Sequence, residues 1–206
     1  MSGVTTFMND ALGQIGATRI NSIDDESANA NWCLDFWDKL RQALLREHYW
    51  NFAETRTELN QDTVPPLFEY TFSYSMPVDL LRLKVYNGIN LPMNIMTPTP
   101  DAIDDFSFVV AGMFKVEGRK IFCNDDPVKI VYIRDIPNPD LWDSLFYQYA
   151  AGMMAGKLCG AISRDQKRAE SIMQHAITFW KPLALASDGQ EQVDLPIQSD
   201  SLIWGR

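Results

Sequence analysis

Two histidines, His48 and His175, and a few paired acids are the residues whose types could carry acid–base or metal chemistry. Their spacing does not support it. The histidines fall in separate helical segments, and neither has a carboxylate or cysteine at ligand spacing such as H-E-x-x-H. A helix-terminal or interface position is the simpler reading of both. Asp24-Asp25, Asp104-Asp105 and Asp125-Asp126 are doublets in turn or cap contexts, where acids usually sit in solvent. No GxSxG elbow is present. Gly152-Met153-Met154-Ala155-Gly156-Lys157 superficially resembles a phosphate-binding loop, but its glycines are too close, Leu158 stands where Ser or Thr is needed, and no strand precedes it. No catalytic residue, metal ligand or cofactor is assigned. The enzymatic alternative is a hydrolase using scattered acids with His48 or His175; it falls if both histidines stand far from carboxylates.

Gly152, Gly156 and Gly160 recur at every fourth position and give one helix face without side chains. Each costs on the order of 1 kcal/mol inside a helix, so close approach of another helix, within the chain or from a neighbouring subunit, is their expected use. Trp50 and Phe52 close an aromatic run, Tyr49-Trp50-Asn51-Phe52, large enough to anchor a helix end in a core or against another subunit. Cys33, Cys123 and Cys159 are odd in number and lack CxxC spacing, which reads as small buried hydrophobes in a reduced compartment.

The helix that carries Trp50 begins at Asp24-Asp25-Glu26-Ser27, acids and a cap residue suited to a helix N-terminus. Cys33, Trp37, Leu40 and Leu44 form its apolar stripe, with Asp35, Asp38, Lys39, Arg41, Gln42 and Arg46 on the other faces. A shorter helix, about Thr6 to Ile15, precedes it and ends at Gly16. From Leu67 the period changes: Phe68, Tyr70, Phe72 and Tyr74 alternate with Glu69, Thr71 and Ser73 as in a half-buried strand. Leu81–Val85, Phe106–Val110, Met113–Glu117, Arg119–Cys123 and Val128–Arg134 are further strands, the last three an antiparallel meander, and 87–105 is an exposed contact loop. Helical spacing resumes at Asn138-Pro139-Asp140 and runs to about Gly160. Ser163-Arg164-Asp165-Gln166 reads as a capping box for a last helix whose inward stripe is Ala169, Ile172, Ala176 and Phe179, ended or kinked at Pro182. After Ala186 the chain turns acidic and finishes on the apolar tip Leu202-Ile203-Trp204.

The expected fold class is α+β: an antiparallel helical bundle (1–60 and 136–187), an antiparallel β insertion of sandwich or barrel type (61–135) and an extended C-terminal arm (188–206) that docks on a partner. A secretory leader and a membrane-spanning helix are not expected. The net charge of −9 is spread without a basic cluster. That disfavours a nucleic-acid grip, which needs clustered Lys and Arg, and also base stacking on the 68–74 aromatics. It suits a wall that keeps DNA off by repulsion.

With these residues in order, the chain resembles the tail tubular protein A family, the head-to-tail adaptors of short-tailed DNA bacteriophages. The resemblance runs over nearly the full length. It rests on Leu12-Gly13-Gln14-Ile15-Gly16, the Ile23 to Ala30 link, the Arg41 to Phe52 stretch ending in Trp50-Asn51-Phe52, Val128 to Arg134 leading into the terminal helix pair, and a short tail closing on Arg206. It implies a virion structural protein without catalysis. Twelve copies would form a ring beneath the portal protein, continue the DNA channel and offer a platform to the tail nozzle and fibres. A head-completion or connector protein of a long-tailed phage is the nearer alternative.

Overall fold

The computed structural model describes residues 3–91 and 113–191. Over them the chain is α+β. Helix α1 (Gly3–Ile15) buries Phe7, Met8, Ala11, Leu12 and Ile15. Gly16, at φ +72°, reverses the chain so that Ala17 N–H donates to the Leu12 carbonyl at 3.0 Å. Helix α2 (Ala28–Glu47) starts on Ser27, whose Oγ accepts from Ala30 N–H at 3.2 Å. Asn138-Pro139 opens only a 3-10 turn, Pro139–Leu141. Helix α3 (Ser144–Leu158) begins on its own cap, Asp143, which accepts from Leu145 and Phe146 N–H at 2.8 and 3.1 Å. α3 is apolar on nearly all sides and is the element on which α1, α2 and the terminal helix pack.

That terminal helix departs from expectation in three ways. Its cap is Asp165, accepting from Arg168 N–H at 3.0 Å, because α3 runs out through a π turn (Cys159–Ser163) and Arg164 takes φ +53°, which leaves Ser163 inside the turn. Helix α4 (Gln166–His175) then continues into α5 (Lys181–Gln190) through a second π turn, Ala176–Trp180. Pro182 therefore does not end the helix. A proline removes one backbone bond and crowds the carbonyl four residues back, and a widened turn just before it relieves both. The wider turn also moves the inward positions to Ala176, Trp180, Ala184 and Asp188, and Phe179 swings out to 49% exposure. Finally, the helix persists to Gln190 with Asp188 buried, so 188–190 belong to the bundle and not to an arm.

The β part begins earlier than expected. β1 (Glu54–Leu59) pairs antiparallel with β7 (Val128–Arg134), with Glu54 opposite Ile133 and Leu59 opposite Val128. β7 also pairs with β3 (Leu80–Tyr86), and β3 with β4 (Ile89–Asn90) across the Asn87-Gly88 turn, where both residues have positive φ. The contact loop assigned to 87–105 thus starts as a hairpin; its remainder from 92, and the strand assigned to Phe106–Val110, lie outside the described residues. A second sheet runs β2 (Phe72–Ser75), β6 (Lys120–Cys123), β5 (Phe114–Glu117). The three-strand meander is corrected accordingly, since β5 and β6 form a hairpin but β6 pairs with β2 while β7 crosses to the centre of the other sheet. The two sheets enclose one core of Leu59, Tyr74, Tyr86, Ile121, Val128 and Ile130.

The 68–74 strand is shortened to Phe72–Ser75. Glu69 sits at φ +68°, Tyr70 N–H turns back to the Phe68 carbonyl at 2.9 Å, and Phe68 is 73% exposed. β6 is only long enough to pair residues 72–75. Alternating aromatics make a strand only where a partner strand lies opposite.

Several polar contacts tie bundle to sandwich, and the pair Arg41–Asp135 is among them. Arg41, assigned to the polar face of α2, is 5% exposed and grips Asp135, the residue after β7, with Nε and Nη2 each donating at 2.7 Å. Its Nη1 donates to Asp38 at 2.7 Å, and its guanidinium lies 5.1 Å from the Trp37 ring. Burial lowers the Arg41 pKa, but hydrogen bonds and charge from Asp135 and Asp38 outweigh that and hold it above the ordinary arginine value. Removing Arg41 leaves the Asp135 charge largely buried, with the Gln42 amide still donating to it but no counter-charge. Arg41→Ala should therefore lower unfolding free energy by about 3–5 kcal/mol in urea titration, whereas Arg41→Met with Asp135→Leu should cost far less.

Candidate functional site

The expected site residues separate into buried and uncovered groups. Trp50 is 1% exposed; its indole N–H donates to the Leu44 carbonyl at 3.0 Å and its ring meets Phe146 edge-on at 4.8 Å. Phe52 packs on the same Phe146 ring at 5.0 Å. Both anchor the end of α2 within the chain, so the subunit-contact use is withdrawn for Trp50. A Cβ on Gly152 would lie 2.8 Å from Ala176 Cβ, and one on Gly156 would lie 2.3 Å from Met173 Cγ and 3.1 Å from the Ala169 carbonyl oxygen. These two glycines let α4 and its π turn approach α3. Gly160 does not share that role: it sits in the π turn, and its nearest neighbour is the Gln166 side chain at 3.6 Å. Leu202, Ile203 and Trp204 lie outside the described residues.

His48 ends α2 and pairs with a carboxylate, Nε2 to Asp188 Oδ2 at 3.2 Å. Distance from carboxylates therefore does not remove the hydrolase alternative. Asp188 Oδ1 accepts Asn51 N–H at 2.7 Å, and the Asn51 amide donates to the Asp188 carbonyl at 2.6 Å. The trio pins the end of α5 to the α2 exit. His175 instead stacks on Phe179, centroids 5.3 Å apart. It borders an open depression of about 410 Å³ with Gln14, Gly152, Ser171, Ile172 and Trp180, and among these described residues it is the only titratable side chain. His48 lines neither this depression nor the two on the β part.

The acid doublets serve turns and tyrosines. Asp25 Oδ2 accepts from Asn21 and Ser22 N–H at 2.9 and 3.1 Å, Asp125 Oδ2 from Tyr86 OH at 2.8 Å, and Asp126 Oδ1 from Tyr74 OH at 3.2 Å. Burial first, then Asp126, pushes the Tyr74 hydroxyl up to about 12. Asp104-Asp105 lies outside the described residues. Among the described residues no cluster of His, Cys, Asp or Glu is placed to hold a metal ion. The three cysteines are buried as free thiols, and burial pushes Cys33 up to about 11, away from thiolate chemistry.

What the surface does offer is uncovered apolar area. Trp32 and Leu34 are exposed at separate positions around α2, where Phe36 is half-buried against the core; Ile177, Phe179 and Leu183 are exposed on the terminal helix. At the tip of the β part, Val64, Leu67 and Phe68 are 74%, 96% and 73% exposed beside a groove of about 440 Å³. Sequence reasoning assigned none of these as partner surfaces. The readable signal on α2 was Trp32–Phe36, apolar rings four apart and off the Cys33–Trp37–Leu40–Leu44 stripe.

No family model matches this chain, and no curated protein matches it either. Among the described residues, no helix is long and apolar enough to cross a membrane.

Two substitutions separate the glycine roles. Gly13 in α1 has nothing within 4 Å of an added Cβ, so Gly13→Ala should raise unfolding free energy by about 0.5–1 kcal/mol. Gly152→Ala gains the same helix propensity but drives a methyl into Ala176; overpacking costs about 1–3 kcal/mol, and the net change in denaturant melts should be a loss.

Asp62 supplies a pH dependence. Burial raises its pKa, but hydrogen bonds from Lys120 (2.7 Å), Ser75 (2.8 Å) and Ser73 (3.0 Å) outweigh that and hold it below the usual carboxylate value. Its stabilising contribution is present above the unfolded aspartate pKa, about 3.9, and is lost as pH falls through the lower folded value. Asp62→Asn should cost about 1–2 kcal/mol at pH 7, and the deficit should shrink when melting is measured at about pH 3.

Proposed function

We propose that this protein is a head-to-tail adaptor of a short-tailed bacteriophage, a ring-forming virion protein that stands between portal and tail nozzle and lets DNA pass without sequence-specific contact. The observation that carries the reading is where the resembling segments fall. Residues 41–52 supply Arg41 and the Trp50 anchor, and 128–134 form β7, the central strand that leads into Asp135. Two of the stretches by which the chain resembles the adaptor family thus lie where its bundle meets its sandwich.

Charge supports the same reading. The net charge is −9, and several cations are held by acids of the same chain: Arg41 by Asp135, Lys84 by Glu54, Lys120 by Asp62 and Lys181 by Glu47. A net negative charge without a run of clustered cations is poorly suited to displacing counterions from a duplex. The residues after Glu191, tipped by Leu202-Ile203-Trp204, have a composition suited to docking on the portal or an adjacent subunit.

Immunogold labelling of purified particles of the virus that encodes the chain tests the proposal. Label at the junction between head and tail is expected, together with no measurable duplex binding by the free protein at about 150 mM salt, where a nonspecific DNA binder still shows a Kd of about 10⁻⁴–10⁻⁶ M. Particles without label, or tight salt-sensitive duplex binding, would contradict it.

A further inference from the structure

The four-stranded sheet is ordered β1-β7-β3-β4, so among the described residues one side of β1 has no strand beside it. Which of its backbone groups are left over follows from β7. The Lys129 carbonyl accepts from Asn87 N–H at 2.8 Å, and Asp135 N–H donates to the Asp79 carbonyl at 2.7 Å, both on the β3 side. Backbone groups of successive strand residues point to opposite sides, so Val128, Ile130 and Tyr132 turn theirs toward β1. Their partners there are Leu59, Thr57 and Thr55. The N–H and C=O of Glu54, Arg56 and Glu58 therefore point to the free edge. Side chains alternate in step: Leu59 enters the sandwich core with Thr55 and Thr57 half-buried on the same face, while Glu54, Arg56 and Glu58 take the other, Arg56 being 81% exposed.

The bundle delivers the rest of the chain to the start of this edge. Asp188, near the end of α5, accepts Asn51 N–H at 2.7 Å and the Asn51 amide at 2.6 Å, and β1 opens at Glu54. Val193 follows Asp188 by five residues and Thr55 follows Asn51 by four. Chain continuing past Glu191 thus starts within a few residues' reach of the β1 start. Residues 192–206 lie outside the described residues, but their sequence has the pattern such an edge accepts. Val193, Leu195 and Ile197 alternate with Asp194, Pro196 and Gln198, the period of a strand with one apolar face. Proline has no N–H to give and is tolerated in an edge strand where that position faces away from the ladder. With Pro196 turned outward, Val193, Leu195 and Ile197 present their N–H and C=O to β1.

We propose that residues 193–197 of the same chain add to the free edge of β1 as a parallel strand. Val193, Leu195 and Ile197 lie beside Thr55, Thr57 and Leu59 and extend the apolar face of the sandwich. The Val193 and Leu195 carbonyls accept from Arg56 and Glu58 N–H, and Leu195 and Ile197 N–H donate to the Arg56 and Glu58 carbonyls. Asp194 falls beside Arg56, an opposite-charge neighbour on the other face. Main-chain bonds hold such an added strand, and its alternate side chains fix the register. The tip Leu202-Ile203-Trp204 follows the paired stretch and is left for a partner, so the contact neither needs the adaptor reading nor conflicts with it.

Hydrogen exchange of the full chain, read by NMR at the Arg56 and Glu58 amides, tests this. Both should exchange about tenfold or more slowly in the parent than in a Leu195→Pro variant, which loses the bond to the Arg56 carbonyl. Val193→Asp with Ile197→Asp keeps every N–H but spoils the apolar row, and should remove the protection as well. Pro196→Ala changes the position that faces away and should leave it intact. Amides of α3 around Ala150–Ala155 report that each variant is folded and should exchange alike in all of them. Protection should not change on dilution, because the strand comes from the same chain. Arg56 and Glu58 amides that exchange as fast in the parent as in Leu195→Pro, protection that survives both disrupting variants or is lost in Pro196→Ala, or protection that fades on dilution, which would place the segment on a second copy, would each overturn the proposal.

Discussion

A largely buried ion pair, Arg41–Asp135, joins two cores of different kinds. Helices and sandwich each have their own apolar cluster, and β7 faces both, with Val128, Ile130 and Tyr132 in one and Ile133 in the other. Apolar contact alone leaves the angle between such units loosely set, because dispersion and burial are not directional. The Arg41–Asp135 fork is directional: two parallel N–H···O bonds fix a plane as well as a distance. Gln42 adds a bond to the same carboxylate at 3.0 Å, and Arg46 donates to the Leu81 carbonyl. One turn of α2 after another is thus sewn to the base of the sandwich.

At the opposite side of α3 the constraint is steric. Gly152 and Gly156 bring the terminal helix in close, and the π turn over Ala176–Trp180 accommodates both that approach and Pro182. By shifting the register it buries Ala184 and Asp188 and leaves Phe179 exposed. Asp188 is held by Asn51 and His48, so the end of this helix returns to the α2 exit beside Trp50.

Much of the architecture was legible in local signals. Ser27, Gly16 and the α2 stripe act as periodicity and capping rules require, and Gly118 makes the turn between β5 and β6. What was missed depended on partners distant in sequence. β1 reads Glu-Thr-Arg-Thr-Glu-Leu with only Leu59 buried, because it is an edge strand whose charged side chains face outward. Asn87-Gly88 is a strong hairpin signal that was absorbed into a long loop. Arg41 looked like a surface cation since nothing local shows that Asp135 will be opposite it. Within the chain the glycine stripe gives a close approach at Gly152 and Gly156 but not at Gly160, where a π turn replaces the α-helix. The exposed apolar side chains were least legible, as an exposed apolar residue is recognised only once the buried ones are known.

If the Arg41–Asp135 seam makes bundle and sandwich one structure, the two must open together. Native-state hydrogen exchange of the full chain in low denaturant measures this directly. Amides of β7 around Ile130–Ile133 and of α3 around Ala150–Ala155 should exchange through one global opening, with the same free energy and the same denaturant dependence. Sandwich amides that exchange at a distinctly lower free energy, with α3 still protected, would show that the seam does not couple the two parts and would contradict the account.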